Sequence, residues 1–157
     1  MKRYALVIGI SEYRNPSFSV LPKTVSDAEA VARLLEQYGD FQEVQRFPAR
    51  WVEQRNCYEM VASEVKGEDL SQVLRNFLAN KAVRSDALIY FTGHGTTLLD
   101  NMGQKTGYLV TSDFTSQEPQ RGIALSSFNK VVSEASLTSL VVMLDCCHAG
   151  ALSLIHI

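Results

Sequence analysis

Two short segments of the chain carry residue types that could do covalent chemistry. "LDCCHAG", residues 144–150, closes an apolar run with an aspartate, two adjacent cysteines and His148, and "YFTGHG", residues 90–95, closes another with a histidine between glycines. A cysteine attacks only as its thiolate, and an imidazole within hydrogen-bond reach can take the thiol proton and later hand it to a leaving amine. His148 adjoins Cys147, but neighbouring side chains of a strand point to opposite faces, so His94 is the better partner. Zinc is a weaker reading, because Cys57 stands alone and no second ligand pair occurs at zinc spacing, so no metal site is expected. A redox switch between Cys146 and Cys147 is weaker still, since a bridge between neighbours is strained. An isolated His-Gly usually just ends a strand, and a buried cysteine is usually an inert small hydrophobe. The elements around them decide whether these two are more.

Residues 4–10, "YALVIGI", are continuously apolar, as in a strand covered on both faces. From Thr24 or Ser26 to about Tyr38, Val25, Ala28, Val31, Ala32, Leu34 and Leu35 recur at helical spacing. Ser26 is the expected cap, with Glu29 three residues on and Gly39 as terminator. Residues 41–47 alternate and stop at Pro48, which suits a strand near an edge. Residues 50–66 are polar and mixed, compatible with a short helix or an excursion. A second helix is expected from Asp69 to Ala82, a third strand over 87–91, a loop from Thr96 to Lys105 and a short strand within 107–113. A third helix over 126–135 and a fourth central strand over 140–144 follow. Strands alternating with helices predict an α/β fold with an open, mostly parallel sheet and right-handed crossovers. Such sheets bind ligands beyond the carboxyl ends of their strands, and this order delivers both "TGHG" and "DCCHAG" to that edge.

At 157 residues, 46% hydrophobic and 20% charged, the chain supports one core and one domain. A net charge of −2 without a Lys/Arg block argues against nucleic acid as a partner, and no apolar run is long enough to cross a bilayer. The start, "MKRYALVIGI", has the outline of a small signal peptide, yet Ser11, Glu12 and Tyr13 follow with no small-residue cleavage site, and a first strand fits better. Three cysteines, two of them adjacent, make a poor disulfide framework and point to a reducing, cytoplasmic setting. Oligomeric state is not specified.

Taken together, these residues resemble the caspase-like cysteine peptidases, and within them the metacaspases and bacterial orthocaspases. The resemblance runs from "ALVIGISEY" through "LPKTVSDAEAVARLLEQYG" and "YFTGHG" to "DCCHAG", so that residues 1–150 correspond to the large, p20-like catalytic unit. His94 precedes Cys147 by 53 positions (147 − 94), near the separation of about 50 known for caspases. The resemblance implies a three-layer αβα fold, His94 as the catalytic histidine and Cys147 as the nucleophile, with Cys146 at the variable position of D-x-C-H-[SA]-G. The backbone N–H groups of Gly95 and Cys147 would then form the oxyanion hole.

Charge suggests the specificity. Asp145 stands where caspases that cut after aspartate resemble one another in carrying Gln, and Leu21 and Pro22 occupy the early loop where an Arg would be wanted. Asp27, in "TVSDAEA", matches the second acidic pocket residue of metacaspases, although a carboxylate in a first helical turn is also favoured simply by the dipole. Two carboxylates would bind Arg or Lys, Arg more tightly through bidentate geometry, and would repel aspartate. The expected partner is therefore a protein or peptide substrate with a basic residue before the cut. No cofactor is expected. Calcium enters by family resemblance only: Asp100, Asp113 and Glu118 lie in loops without EF-hand spacing, where acids are usually just solvated. The family fold continues beyond the nucleophile with further strands, so the sheet is expected to be incomplete and residues 151–157 to be a truncated or non-native tail. The competing reading is a non-catalytic caspase-like adaptor domain.

Overall fold

A computed structural model describes residues 1–146. Its centre is a parallel sheet of β1 (Arg3–Gly9), β2 (Glu43–Phe47), β5 (Asp86–Gly93) and β9 (Ser139–Cys146), in the spatial order β2-β1-β5-β9. Between these run the helices α1 (Thr24–Tyr38), α2 (Gly67–Asn76, continued by a π-helical turn over Phe77–Lys81) and α3 (Leu125–Glu134). Alternate residues of the two inner strands serve different layers. Val7 and Tyr90 pack against Ala28 and Ala32 of α1, whereas Leu6, Ile8, Ile89 and Phe91 pack against Leu70, Leu74, Phe77, Phe128 and Val132 on the opposite side. Both faces of β1 and β5 are thus dry, which is why their sequences read as unbroken apolar runs. Each fully buried Leu, Ile or Phe contributes roughly 1.5–3 kcal/mol relative to exposure. No helix among the described residues is long and apolar enough to cross a membrane.

The expected α/β fold with a parallel sheet and its main elements are present, with several local corrections. Ser26 does not cap α1. The helix starts at Thr24, the earlier of the two expected starts, Lys23 holds the cap position without a side-chain bond, and the Ser26 hydroxyl donates back to the Lys23 carbonyl. Leu34 faces solvent, because the small residues Ala28 and Ala32 occupy the contact stripe and allow close approach to the sheet. The undecided segment after β2 is a hairpin of β3 (Ala49–Val52) and β4 (Cys57–Met60) joined by a 3₁₀ turn, with Asn56 in the left-handed region. The expected loop after "TGHG" is instead β6 (Gly95–Leu99), which pairs antiparallel with β7 (Lys105–Leu109), and β7 pairs in turn with β8 (Ile123–Ala124). Finally, β9 is the outer strand of the sheet among the described residues. Its alternate residues Val141 and Met143 are 53% and 49% exposed, so among the described residues only one of its faces is covered.

A set of ion pairs fixes α1 on the sheet. The Arg46 guanidinium of β2, only 7% exposed, grips Glu29 at 2.9 Å and Glu36 at 2.6 Å from two sides. Glu29 also pairs with Arg33 at 3.0 Å and accepts the Met60 N–H at 2.9 Å, tying in the β3–β4 hairpin. Burial alone would push the Glu29 carboxyl up. The hydrogen bonds from Arg46, Met60 and Arg33 outweigh it and hold Glu29 below the usual carboxylate range.

Candidate active site

The carboxyl end of the sheet gathers the ends of β1, β5 and β9 together with the loop that joins β1 to α1. Strands β5 and β9 run in parallel register, Thr92 opposite Asp145 and Gly93 opposite Cys146. His94 follows immediately on β5 and is 6% exposed. Cys147, the expected nucleophile, lies outside the described residues, as do His148 and the boundary expected after Gly150.

His94 is held through its backbone, its ring faces and Nε2. Its backbone N–H donates to the Tyr13 hydroxyl at 2.9 Å, and that hydroxyl donates to the Ile10 carbonyl at 2.9 Å. Its own carbonyl accepts the Val110 N–H at 2.9 Å. The ring lies edge-on to Tyr13 at 4.7 Å and tilted against Phe18 at 5.4 Å. Nε2 sits 2.8 Å from the Ser19 carbonyl oxygen. A carbonyl can only accept, so this contact assigns the N–H to Nε2 and, in the neutral ring, leaves the lone pair on Nδ1. Gly93 makes room for the arrangement, because a Cβ there would lie 2.8 Å from the Tyr13 hydroxyl.

The cage belongs to residues 10–23, a loop stitched to the rest of the domain. Arg14 N–H donates to the Ser112 carbonyl, the Ser112 hydroxyl donates to the Glu12 carbonyl at 2.6 Å, and Arg14 pairs with Glu64 at 2.5 Å. Phe18 packs on Phe114, which packs on Tyr108 of β7. The side sheet therefore buttresses the loop that holds the imidazole.

The acidic residues expected in a substrate pocket approach a third group. Asp145, exposed at the end of β9, accepts a hydrogen bond from the Tyr90 hydroxyl at 3.2 Å. Asp27 sits exposed in the first turn of α1, and its charge acts on the same hydroxyl. Burial first, and then the negative charge and hydrogen-bond acceptance of Asp145, push the Tyr90 phenol up to about 12. Gly95 is buried at the start of β6, directly beyond His94.

The carboxylates considered for a cation are engaged elsewhere. Asp100 accepts the Met102 and Gln104 N–H groups in the β6–β7 turn, Asp113 accepts from Thr111 and from the Gly67 N–H at the start of α2, and Glu118 pairs with Arg121. Among the described residues no three His, Cys, Asp or Glu side chains gather in a way that could hold a metal ion. Cys57 lies on β4, in the hairpin beside α1. A groove between α2 and α3 is lined by Leu74, Tyr108, Ile123 and Phe128 and includes none of the residues around His94.

Sequence reasoning missed Tyr13, Phe18, Ser19 and Tyr90. Tyr90 carried a usable signal, since it lies four residues before His94 on a strand and two positions before Thr92, on the face that meets Asp145. Ser19 carried none, because its contribution is a backbone carbonyl.

With the fold and this edge described, comparison with known families becomes informative. The caspase-domain family model matches residues 2–154, nearly the whole chain. No curated protein matches the chain. By that match, and with a parallel sheet whose central strand ends in a clamped histidine, the chain belongs to the caspase-domain family of cysteine peptidases.

Proposed function

We propose that the chain is a cysteine endopeptidase of the metacaspase or orthocaspase type that cuts after Arg or Lys, acting in the cytoplasm. Residues 1–150 form its p20-like catalytic unit. The observation that carries the reading is the state of His94: a buried imidazole with Nε2 tied to the Ser19 carbonyl, on a strand tip one residue past the last described pair of β5 and β9.

In this reading Nδ1 of His94 takes the proton of the Cys147 thiol, and the sulfur adds to the carbonyl carbon of the scissile bond. The oxyanion is stabilised by the N–H groups of Gly95 and Cys147. Collapse of the tetrahedral intermediate breaks the C–N bond, and the imidazolium gives its proton to the departing amine. Water, deprotonated by the same imidazole, then hydrolyses the thioester and frees the thiol. No cofactor takes part in these steps. Asp27 and Asp145 supply two negative charges for the side chain before the cut, which favours Arg or Lys and disfavours aspartate.

Fluorogenic peptides carrying Arg, Lys or Asp before the cut test the reading. Hydrolysis of the basic peptides, abolished by Cys147→Ala and by His94→Ala, is expected. Equal hydrolysis by the Cys147→Ala chain, or preference for Asp, refutes it.

A further inference from the structure

We propose that Tyr90 is a specificity-positioning residue, whose hydroxyl orients Asp145 so that the acidic pair Asp27 and Asp145 selects a guanidinium over an ammonium. The inference rests on the basic-pocket reading above and adds a residue and a discrimination to it.

Asp145 alone would be a poor recognition element. It is exposed at the end of an outer strand, where a carboxylate rotates freely, and a rotating acceptor attracts any cation. Tyr90 removes that freedom. Its ring is 7% exposed and packs among Val7, Ala28, Ala32 and Met60, so the position of the hydroxyl is set by the core. In the parallel register Tyr90 lies opposite Met143 and Thr92 opposite Asp145, which puts Tyr90 diagonally behind Asp145 on one face of the sheet. From there the hydroxyl donates to Oδ2 at 3.2 Å, leaving Oδ1 to a ligand.

The chemistry of the donor matters. A lysine or arginine in this place would also fix Asp145, but would cancel the charge that a basic ligand needs. A phenol is neutral, so the carboxylate is held and its charge kept. Holding it in one plane benefits the two kinds of cation unequally. A guanidinium presents donors in a rigid planar fork and gains from acceptors of fixed orientation, whereas an ammonium is a compact point charge with rotatable donors and gains little. Asp27, exposed in the first turn of α1, adds its negative charge to the surroundings of the same hydroxyl.

The test is binding rather than turnover, in the full chain carrying Cys147→Ala, with agmatine as the guanidinium probe and cadaverine as the ammonium probe, followed by calorimetry or NMR. The parent is expected to prefer agmatine. Adding Tyr90→Phe should weaken agmatine by about tenfold, as loss of one hydrogen bond to a charged group would, and cadaverine by less than about twofold. Unchanged agmatine affinity, or equal loss for both probes, overturns the role of Tyr90. If the parent binds neither probe, the basic-pocket reading fails and this inference with it. Should Tyr90→Phe fail to fold, Asp145→Asn in the intact chain takes its place, read by ultraviolet tyrosinate titration. Tyr90 is expected to titrate lower there than in the parent, and an unmoved titration overturns the contact.

Discussion

Replacing Tyr13 by phenylalanine isolates one atom of the scaffold around His94. The hydroxyl accepts the His94 N–H and donates to the Ile10 carbonyl, both at 2.9 Å, at a place where His94 is only 6% exposed. Phenylalanine preserves the ring contact with the imidazole but leaves both backbone groups without that partner. An unsatisfied buried group costs about 1–3 kcal/mol, so the pair should cost about 2–6 kcal/mol. For a chain of this length that lowers the melting temperature by roughly 4–24 °C. Circular dichroism melts and urea titrations measure it, with an unchanged m-value confirming that native stability has moved. Gly93→Ala gives a sharper check, because its new Cβ would lie 2.8 Å from the same hydroxyl. Deleting the hydroxyl first relieves that clash, so Gly93→Ala should cost less in the Tyr13→Phe background than alone, by about 0.5–3 kcal/mol of coupling. Strict additivity, or a Tyr13→Phe chain within about 0.5 kcal/mol of the parent, would refute the account of how His94 is held.

Acid unfolding should report on Glu29. Its folded carboxyl is held below the ordinary value of 4.5, so its contribution is present above about pH 4.5 and is lost as pH falls through the folded value. Glu29→Gln should therefore lower the urea midpoint near neutrality and flatten its decline below that pH, and an acid limb parallel to the parent's would exclude Glu29 as a source. Gly67→Ala should destabilise by at least about 1–3 kcal/mol, since a Cβ there would lie 1.6 Å from the Arg121 carbonyl oxygen and the backbone must give way. Val141→Thr, at a 53% exposed position on the uncovered face of β9, should stay within about 0.5 kcal/mol of the parent by the same melt.

How far these features could be read in advance depended on how local their causes are. The strands β1 and β5 announced themselves because both of their faces are dry, and α1 because a stripe of small and branched residues recurs every three to four positions. Glu29 looked like half of a capping box, but its carboxylate is taken by Arg46, 17 residues away, and no local rule anticipates that choice. The run 96–105 looked like a loop because it is rich in Gly, Thr and Asn. Its first residues, 96–99, belong to a strand because β7 offers them a ladder, which is a tertiary cause. The strand 140–144 looked central because Val141 and Met143 are apolar, and apolar side chains do not reveal whether anything lies opposite them. At the site, the sequence singles out His94 as a candidate base. It does not single out the Ser19 carbonyl that settles its tautomer, since any residue type supplies a carbonyl.

His94 stands between β5, which ends at Gly93 in the parallel sheet, and β6, which begins at Gly95 in the antiparallel one. The chain passes from one ladder to the other across that single residue, whose own N–H is held by the Tyr13 hydroxyl and whose carbonyl is held by the Val110 N–H. The orientation of the imidazole is thus set by contacts with Tyr13 and the Ser19 carbonyl that form as the protein folds.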